Sequence, residues 1–206
     1  MFFIRYKVIN PQNQARGPSL WEFKQNELGK ENIIYQRTEI IDKSQYREPT
    51  LLILREKYLK KGVFSCDLRR IKKGSLGIVF RYVDKNNYYI FETGGTLNKN
   101  FFQLRKKVRG IMSTIKRINH DQILSKGYNE YAYNQDIWLR VKIEVNKNNF
   151  NIYVSKPGYL EKPIFNYQGK EFKYGRIGFA SFGTPAAFTN IIMKPKVNNI
   201  CIIIVT

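Results

Sequence analysis

The sequence predicts an all-β chain folded as an antiparallel two-sheet sandwich. Three observations predict it. Apolar residues recur with a period of two in one run after another. Short turns rich in Gly, Asn and Asp separate the runs. Aromatic residues make up 15% of the 206 residues, with 14 Tyr and 14 Phe. Alternation sends successive side chains to opposite faces of a strand. Aromatic and β-branched residues suit a pleated, half-buried surface, and short strands with turn signals at regular spacing read as a sandwich or barrel. The length suits one large sandwich domain.

The elements are taken in chain order. Residues 51–61, LLILREKYLKK, read equally well as a strand or as a turn or two of helix. At 63–69, Phe64, Cys66 and Leu68 alternate with Val63, Ser65, Asp67 and Arg69. In 76–83, LGIVFRYV, the same rule places Leu76, Ile78, Phe80 and Tyr82 on one face. Asp84, Asn86 and Asn87 then form a turn, because Asp and Asn tolerate left-handed backbone and bond their own main chain. YYIFE (88–92) returns as the second arm of that hairpin, and Gly94–Gly95 turn the chain again. FFQLRKKVRG (101–110) puts Leu104 and Val108 inward, and MSTIKRI (112–118) is its expected partner. Segment 119–136 has no clear period and reads as a long rim loop, a type that is often functional. WLRVKIEV (138–145) is the clearest strand, with Leu139, Val141, Ile143 and Val145 on its apolar face. NKNN turns it into FNIYV (150–154), and GRIGFASF (175–182) and FTNIIM (188–193) close the series. Trp21 and Trp138 are both expected to be structural, Trp138 in the core.

The 36 Lys and Arg against 16 Asp and Glu give a formal charge of +20. A field of that size draws anions: nucleic acid, anionic lipid or sulfated glycan. A chain rich in Lys, Asn, Ile and Tyr also carries the mark of A/T-rich codons, which inflate Lys without any ligand. Pattern therefore matters more than the sum. Arg69, Arg81, Arg105, Lys107, Arg140 and Lys142 all fall on polar faces of alternating strands. If these strands share a sheet, the six line one cationic face, where Arg forks match sulfate and carboxylate. A solvated face is the plainer alternative. Nucleic acid has charge alone in its favour, since RNP-like aromatic strand motifs are absent.

Catalytic patterns are sparse. The single histidine, His120, lies in the expected loop. There is no G-x-S-x-G elbow, P-loop, C-x-x-C pair or G-x-G-x-x-G after a strand. Asp67, Glu92 and Glu144 sit on separate strands, where pairing with neighbouring Arg and Lys is the simpler expectation than a glycosidase acid pair. For calcium, which wants six to eight oxygens, Asp84, Asn86 and Asn87 offer one turn's worth, with Asp121 and Asp136 as weaker additions. Simple turn chemistry explains the same residues. Tyr88, Tyr89, Tyr131 and Tyr133 are candidate stacking surfaces for sugars, Tyr88, Tyr131 and Tyr133 at the rim, with core or rim packing as the plainer alternative for each. Cys66 and Cys201 form no disulfide or zinc pattern. Residues 1–16 read as an N-terminal extension, 17–196 as the sandwich and 197–206 as an apolar tail too short to span a bilayer. The ends suggest a piece of a longer protein.

The order of motifs resembles concanavalin-A-like and laminin-G-like sandwich domains. The runs that carry the resemblance are GPSLWEF (17–23) with IIYQRTEI (33–40), GSLGIVFRYVDKNNYYIFE (74–92), FFQLRKKVRG (101–110), YAYNQDIWLRVKIEVNKNNFNIYV (131–154) and GRIGFASFGTPAAFTNI (175–191). Thr189 replaces the Asp usual before the final N-I, and Lys/Asn replaces Gly in the 146–149 turn. The resemblance implies a jelly-roll sandwich. It also implies a non-enzymatic adhesion or recognition module of a secreted or surface protein, similar to those in LCCL/lectin adhesive-like proteins of parasitic protists. The partner would be a glycan or a protein, in an anionic form if the basic face is its site, with flanking domains in the parent chain. A glycoside hydrolase or lyase on the same fold, and a module that only packs against sister domains, are the alternatives.

Overall fold

The computed structural model describes residues 5–11, 18–25, 32–38, 48–95, 100–125 and 136–196. They form two antiparallel sheets of seven strands each. The first sheet runs β1 (Tyr6–Ile9), β4 (Thr50–Tyr58), β13 (Arg176–Phe182), β6 (Gly74–Asp84), β7 (Asn87–Gly95), β8 (Phe101–Val108) and β9 (Ile111–Asn119). The second runs β12 (Lys162–Gln168), β11 (Asn149–Ser155), β10 (Trp138–Asn146), β5 (Gly62–Arg70), β14 (Ala186–Pro195), β3 (Asn32–Gln36) and β2 (Trp21–Gln25). One short helix, α1 (His120–Ser125), comes after β9. The fold is therefore the all-β, two-sheet sandwich that the alternation predicts, in the jelly-roll form that the resemblance implies.

Alternation builds the core. Phe64, Cys66 and Leu68 of β5 face the sheet interface with Val141, Ile143 and Val145 of β10, all buried. They meet Ile78, Phe80, Tyr89, Phe91 and Phe179 from the first sheet. Phe179 and Phe188 cross between the sheets at 4.7 Å between ring centroids. Burying such rings contributes about 1.5–3 kcal/mol each. Trp21 anchors β2 as expected, its indole N–H donating to Thr50 Oγ1 at 3.3 Å. Burial also pushes the Cys66 thiol well above its usual range. Cys201 lies outside the described residues.

The β6–β7, β8–β9 and β10–β11 connections are two residues each. Between β8 and β9 the two turn residues, Arg109 and Gly110, have φ of 50° and 85°, the left-handed pair that matches strand twist in a two-residue hairpin. The last two described strands go to the middle: β13 lies between β4 and β6, and β14 between β5 and β3.

Several sequence expectations change. Of the two readings open for 51–61, residues 51–58 take the strand, because both faces of β4 find partners: Leu52 and Leu54 the main core, Leu51 and Ile53 a second cluster. β1 falls inside the segment expected to be an extension and pairs with β4 as an edge strand. The segment expected to be loop begins with α1, whose first residue, His120, is buried. Trp138 is not in the core; it aligns with Arg69 on the outer face of the second sheet, and the Arg69 guanidinium lies 4.9 Å from its ring.

The largest change is in β6. Its pairing with β7 slips between Phe80 and Asp84, and its pairing with β13 between Val79 and Tyr82. Arg81 carries the bulge with φ 49°. A bulge adds one residue and reverses the facing of the residues after it. Tyr82 accordingly joins the second cluster with Val79 and Tyr88, and does not join Phe80 in the core.

Candidate functional site

The six basic residues do not form one face. Arg69, Arg140 and Lys142 lie on the outer side of the second sheet, and Arg105 and Lys107 on the outer side of the first. Arg81 turns inward at its bulge, with its guanidinium 4.6 Å from the Phe150 ring. It is fully buried and donates to the carbonyls of Phe172 and Lys147. Burial lowers its pKa. The other five are engaged by acids. Arg140 makes a two-pronged pair with Asp67, Lys142 contacts Glu144 and Glu161, and Arg69 meets Asp136 at 3.4 Å. Arg105 meets Glu92 at 3.2 Å, and Lys107 meets Glu48. Alternation assigns a side chain to a polar face, but it cannot say which sheet owns the strand.

Asp84, Asn86 and Asn87 do come together, as a hydrogen-bonded turn. Asp84 accepts from the Asn86 backbone N–H at 2.7 Å and from the Asn87 amide at 2.9 and 3.0 Å. Asn87 Oδ1 accepts from the Arg109 N–H at 3.0 Å. The Asp84 carboxylate and Asn87 Oδ1 are thus engaged by donors within and beside the turn. Among the described residues, no group of three or more His, Cys, Asp or Glu is placed to hold a metal. Asp136 pairs with Arg69, and Asp121 sits in the first turn of α1. Tyr88 is not a rim platform: it is 1% exposed and stacks on Tyr82 at 6.0 Å. It obeys its parity on β7, opposite to the core-facing Tyr89. Tyr131 and Tyr133 lie outside the described residues.

A polar ladder emerges on the outer side of the first sheet, near the end where β6 begins. Register places Glu92, Gln103 and Arg117 side by side on β7, β8 and β9, with Ser75 of β6 diagonal to Glu92, two residues from Gly77, which faces Glu92 directly. Glu92, 3% exposed, is its hub. Its carboxylate accepts from Ser75 Oγ at 2.6 Å, Gln103 Nε2 at 2.7 Å and Arg105 Nη1 at 3.2 Å. Gln103 Oε1 in turn accepts from Arg117 Nη1 at 3.2 Å, and Arg117 Nε donates to Asn119 at 2.8 Å. Such a chain fixes each rotamer through its neighbour.

Ladder geometry rests on two glycines. Gly77 sits directly across from Glu92, where an added Cβ would stand 2.1 Å from the Phe91 carbonyl oxygen. Gly94 sits across from Ser75, where a Cβ would meet the Ser75 Cβ at 2.2 Å. Without those side chains Ser75 and Glu92 lean together. Moving towards β9 the ladder opens to solvent: Arg117 and Asn119 are exposed, and Phe101 and Phe182 are half-buried beside it. Arg117 lies 4.3 Å from the Phe101 ring and Arg105 6.0 Å from that of Phe182. A small cavity of about 40 Å³ adjoins on the inner side, lined by Arg70, Gly94, Asn100 and Phe101 among others. Elsewhere on the outer side Leu51, Ile53, Val79, Tyr88 and Ile90 are buried in the second cluster.

Chemically, the ladder offers fixed donors and acceptors beside aromatic edges, around one carboxylate already bound to an arginine. Ser75, Gln103 and Arg117 escaped the sequence reading. Extending the parity of Arg105 back along β8 reaches Gln103, but only inter-strand register brings Arg117 and Ser75 to it.

Comparison with solved structures finds the same architecture. A carbohydrate-binding module, CBM66 from Bacillus subtilis, superposes with a TM-score of 0.63 at 13% identity, over 90% of this chain and 92% of the module. This chain shares the fold of a carbohydrate-binding module. A protein of unknown function with a galectin-like fold, also from Bacillus subtilis, matches at TM-score 0.50 and 12% identity, over 90% of this chain and 87% of that one. The GH43 protein BlXynB from Bacillus licheniformis matches at TM-score 0.55 and 17% identity, and there the likeness spans 83% of this chain but only 35% of the other. These likenesses are consistent with the concanavalin-A-like sandwich. No protein-family model matches the chain, and no curated protein matches it. No helix among the described residues is long and apolar enough to cross a membrane.

Proposed function

We propose that the chain is a non-enzymatic carbohydrate-recognition module and that the sugar binds at the open end of the Glu92–Gln103–Arg117 ladder. The observation that carries this reading is the ladder itself: three adjacent strands, β7, β8 and β9, present linked polar groups at one level, with Ser75 of β6 bonded to Glu92 diagonally, next to Phe101 and Phe182. Sugars are bound by fixed hydrogen-bonding groups for their hydroxyls and by aromatic surface for their C–H faces. Arg105 and Arg117 favour a ring bearing carboxylate or sulfate.

A hydrolase finds less support. A retaining glycosidase needs two carboxyls about 5–5.5 Å apart, with distinct roles. Here the buried carboxylates of Asp67 and Glu92 belong to different sheets, and each is bound to an arginine. The wider reading, which rests on the sequence resemblance, is an adhesion module of a larger secreted or surface protein.

A glycan array containing neutral, uronic and sulfated glycans, followed by calorimetry on the hits, tests the reading. Binding should fall at least about tenfold in Arg117→Ala and Gln103→Ala, equivalent to about 1.4 kcal/mol, with the fold intact by circular dichroism. Binding that survives both substitutions would move the site elsewhere. Hydrolysis of any bound glycan would overturn the non-enzymatic part.

A further inference from the structure

The ladder occupies one end of the sandwich. The opposite end carries a charge and surface pattern that a sugar site does not require. Among the described residues, the connections there display exposed cations: Lys60 after β4, Lys85 after β6, Arg109 after β8, Lys147 after β10 and Lys173 after β12, with Lys194 near the end of β14. Strand directions bring all six to this end. Gly62 lies across from Val145 and from Pro195, Arg176 from Tyr58 and Tyr82, and Tyr88 from Lys107. The acids described at this end are committed elsewhere. Asp84 is held in its turn, Glu171 by Lys106 and Tyr89, Glu56 by Arg5 and Glu144 by Lys142.

The connections are also fastened to one another. Leu59 N donates to Gly175 O at 3.0 Å, Gly169 N to Asn148 O at 2.8 Å, Gly110 N to Asn86 O at 3.0 Å and Lys196 N to Lys61 O at 2.8 Å. Arg81 joins the 147 and 172 backbones from within. The cations thus stand on a fixed array.

Exposed apolar side chains stand among them. Ile111 is 73% exposed, Tyr174 59%, Val83 50% and Tyr58 47%. Ile111 and Val83 lie within two residues of Arg109 and Lys85 in sequence. Neither side chain can serve a soluble polyanion such as a sulfated glycan or nucleic acid, which needs cations and hydrogen bonds. A lipid surface uses both: cations for the headgroup charge, aliphatic and tyrosine side chains for the boundary below it.

We propose that this end of the sandwich docks on an anionic lipid bilayer. The inference does not depend on the sugar reading, since the ladder lies at the other end and both surfaces can be filled at once.

Vesicle co-sedimentation tests it, using the whole chain with phosphatidylcholine vesicles, with and without phosphatidylserine. The chain should sediment with the anionic vesicles alone and be released by salt, as screening shortens. The triple reversal Lys60→Glu, Lys173→Glu, Lys194→Glu should abolish sedimentation. The pair Val83→Ser, Ile111→Ser should weaken it by about tenfold at unchanged charge, since each buried CH₂ is worth about 0.8 kcal/mol. All five positions are at the surface, so thermal melting should hold for each variant. Failure to sediment with anionic vesicles would overturn the proposal. So would a Val83/Ile111 variant that binds as tightly as the parent while heparin or DNA retention is lost in the triple reversal, which would assign the end to a soluble polyanion.

Discussion

The Arg140 guanidinium closes on the Asp67 carboxylate across β10 and β5, and that carboxylate is only 2% exposed. Asn190 adds a third bond to it at 2.8 Å from β14. The Asp67 hydrogen bond outweighs desolvation and raises the Arg140 pKa. Removing one partner of such a pair leaves a buried charge without its counterpart. Arg140→Ala should therefore cost about 3 kcal/mol in urea unfolding, the low end for a buried pair because Arg140 is partly exposed. Replacing both partners, as Arg140→Met with Asp67→Leu, should recover most of that loss. Equal losses in the single and double variants would show that the pair itself is not the source.

Arg81 should resist conservative exchange. Its fork reaches two carbonyls on separate connections while the stem packs on Phe150. A lysine ammonium is a single point and cannot serve both in the same planar way. Arg81→Lys and Arg81→Met should each lower stability by about 2–4 kcal/mol. Amide hydrogen exchange should quicken first at the 147–149 and 169–172 connections. Melting of Arg81→Lys indistinguishable from the parent would refute the bridging role.

Acid should unfasten the Glu171 contact. Burial alone would raise this carboxyl, but bonds from Lys106 and Tyr89 bring it down to about 2 from 4.5. A depressed folded-state pKa means stability present above pH 4.5 and lost as pH falls from there towards 2. Titrating stability across that window should show a decline that Glu171→Gln removes. A Glu171→Gln variant as acid-sensitive as the parent would place the decline in another carboxylate.

Gly77 should tolerate nothing larger. Its missing Cβ would fall 2.1 Å from a backbone oxygen, which cannot swing aside as a side-chain tip does. Gly77→Ala must spread β6 from β7, at about 1–3 kcal/mol. The same spreading should weaken glycan binding by separating Ser75 from Glu92. Unaltered melting would mean that the sheet absorbs the methyl.

The sheets were readable from the sequence because period-two runs such as Leu139-Val141-Ile143-Val145 have one face to bury and no helical alternative. Pairing across sheets was not, because alternation is local and sheet membership is not. Arg105 and Arg140 obey the same pattern on opposite sides of the molecule. Tyr82 shows the other limit: one bulge at Arg81 reverses facing downstream with no signal in the alternation. The candidate site was legible only in fragments. Glu92 was visible as an isolated carboxylate, while its neighbours Ser75, Gln103 and Arg117 come together through register alone.

The central placement of β13 and β14 governs how the chain can fold. Each fills a slot between strands that appear more than a hundred residues earlier in the sequence or close to it, with Phe188 opposite Leu68 and Phe179 opposite both Leu52 and Ile78. Until those strands are synthesised, both sheets are split in half and their unpaired central edges stand open. Long-range pairing of this kind folds slowly, since loop closure comes before reward. A chain stopped before residue 176 should gain no stable half-sandwich, and its exposed edges invite aggregation. Synthesis must therefore run almost to the last described residue before the first strands are secure.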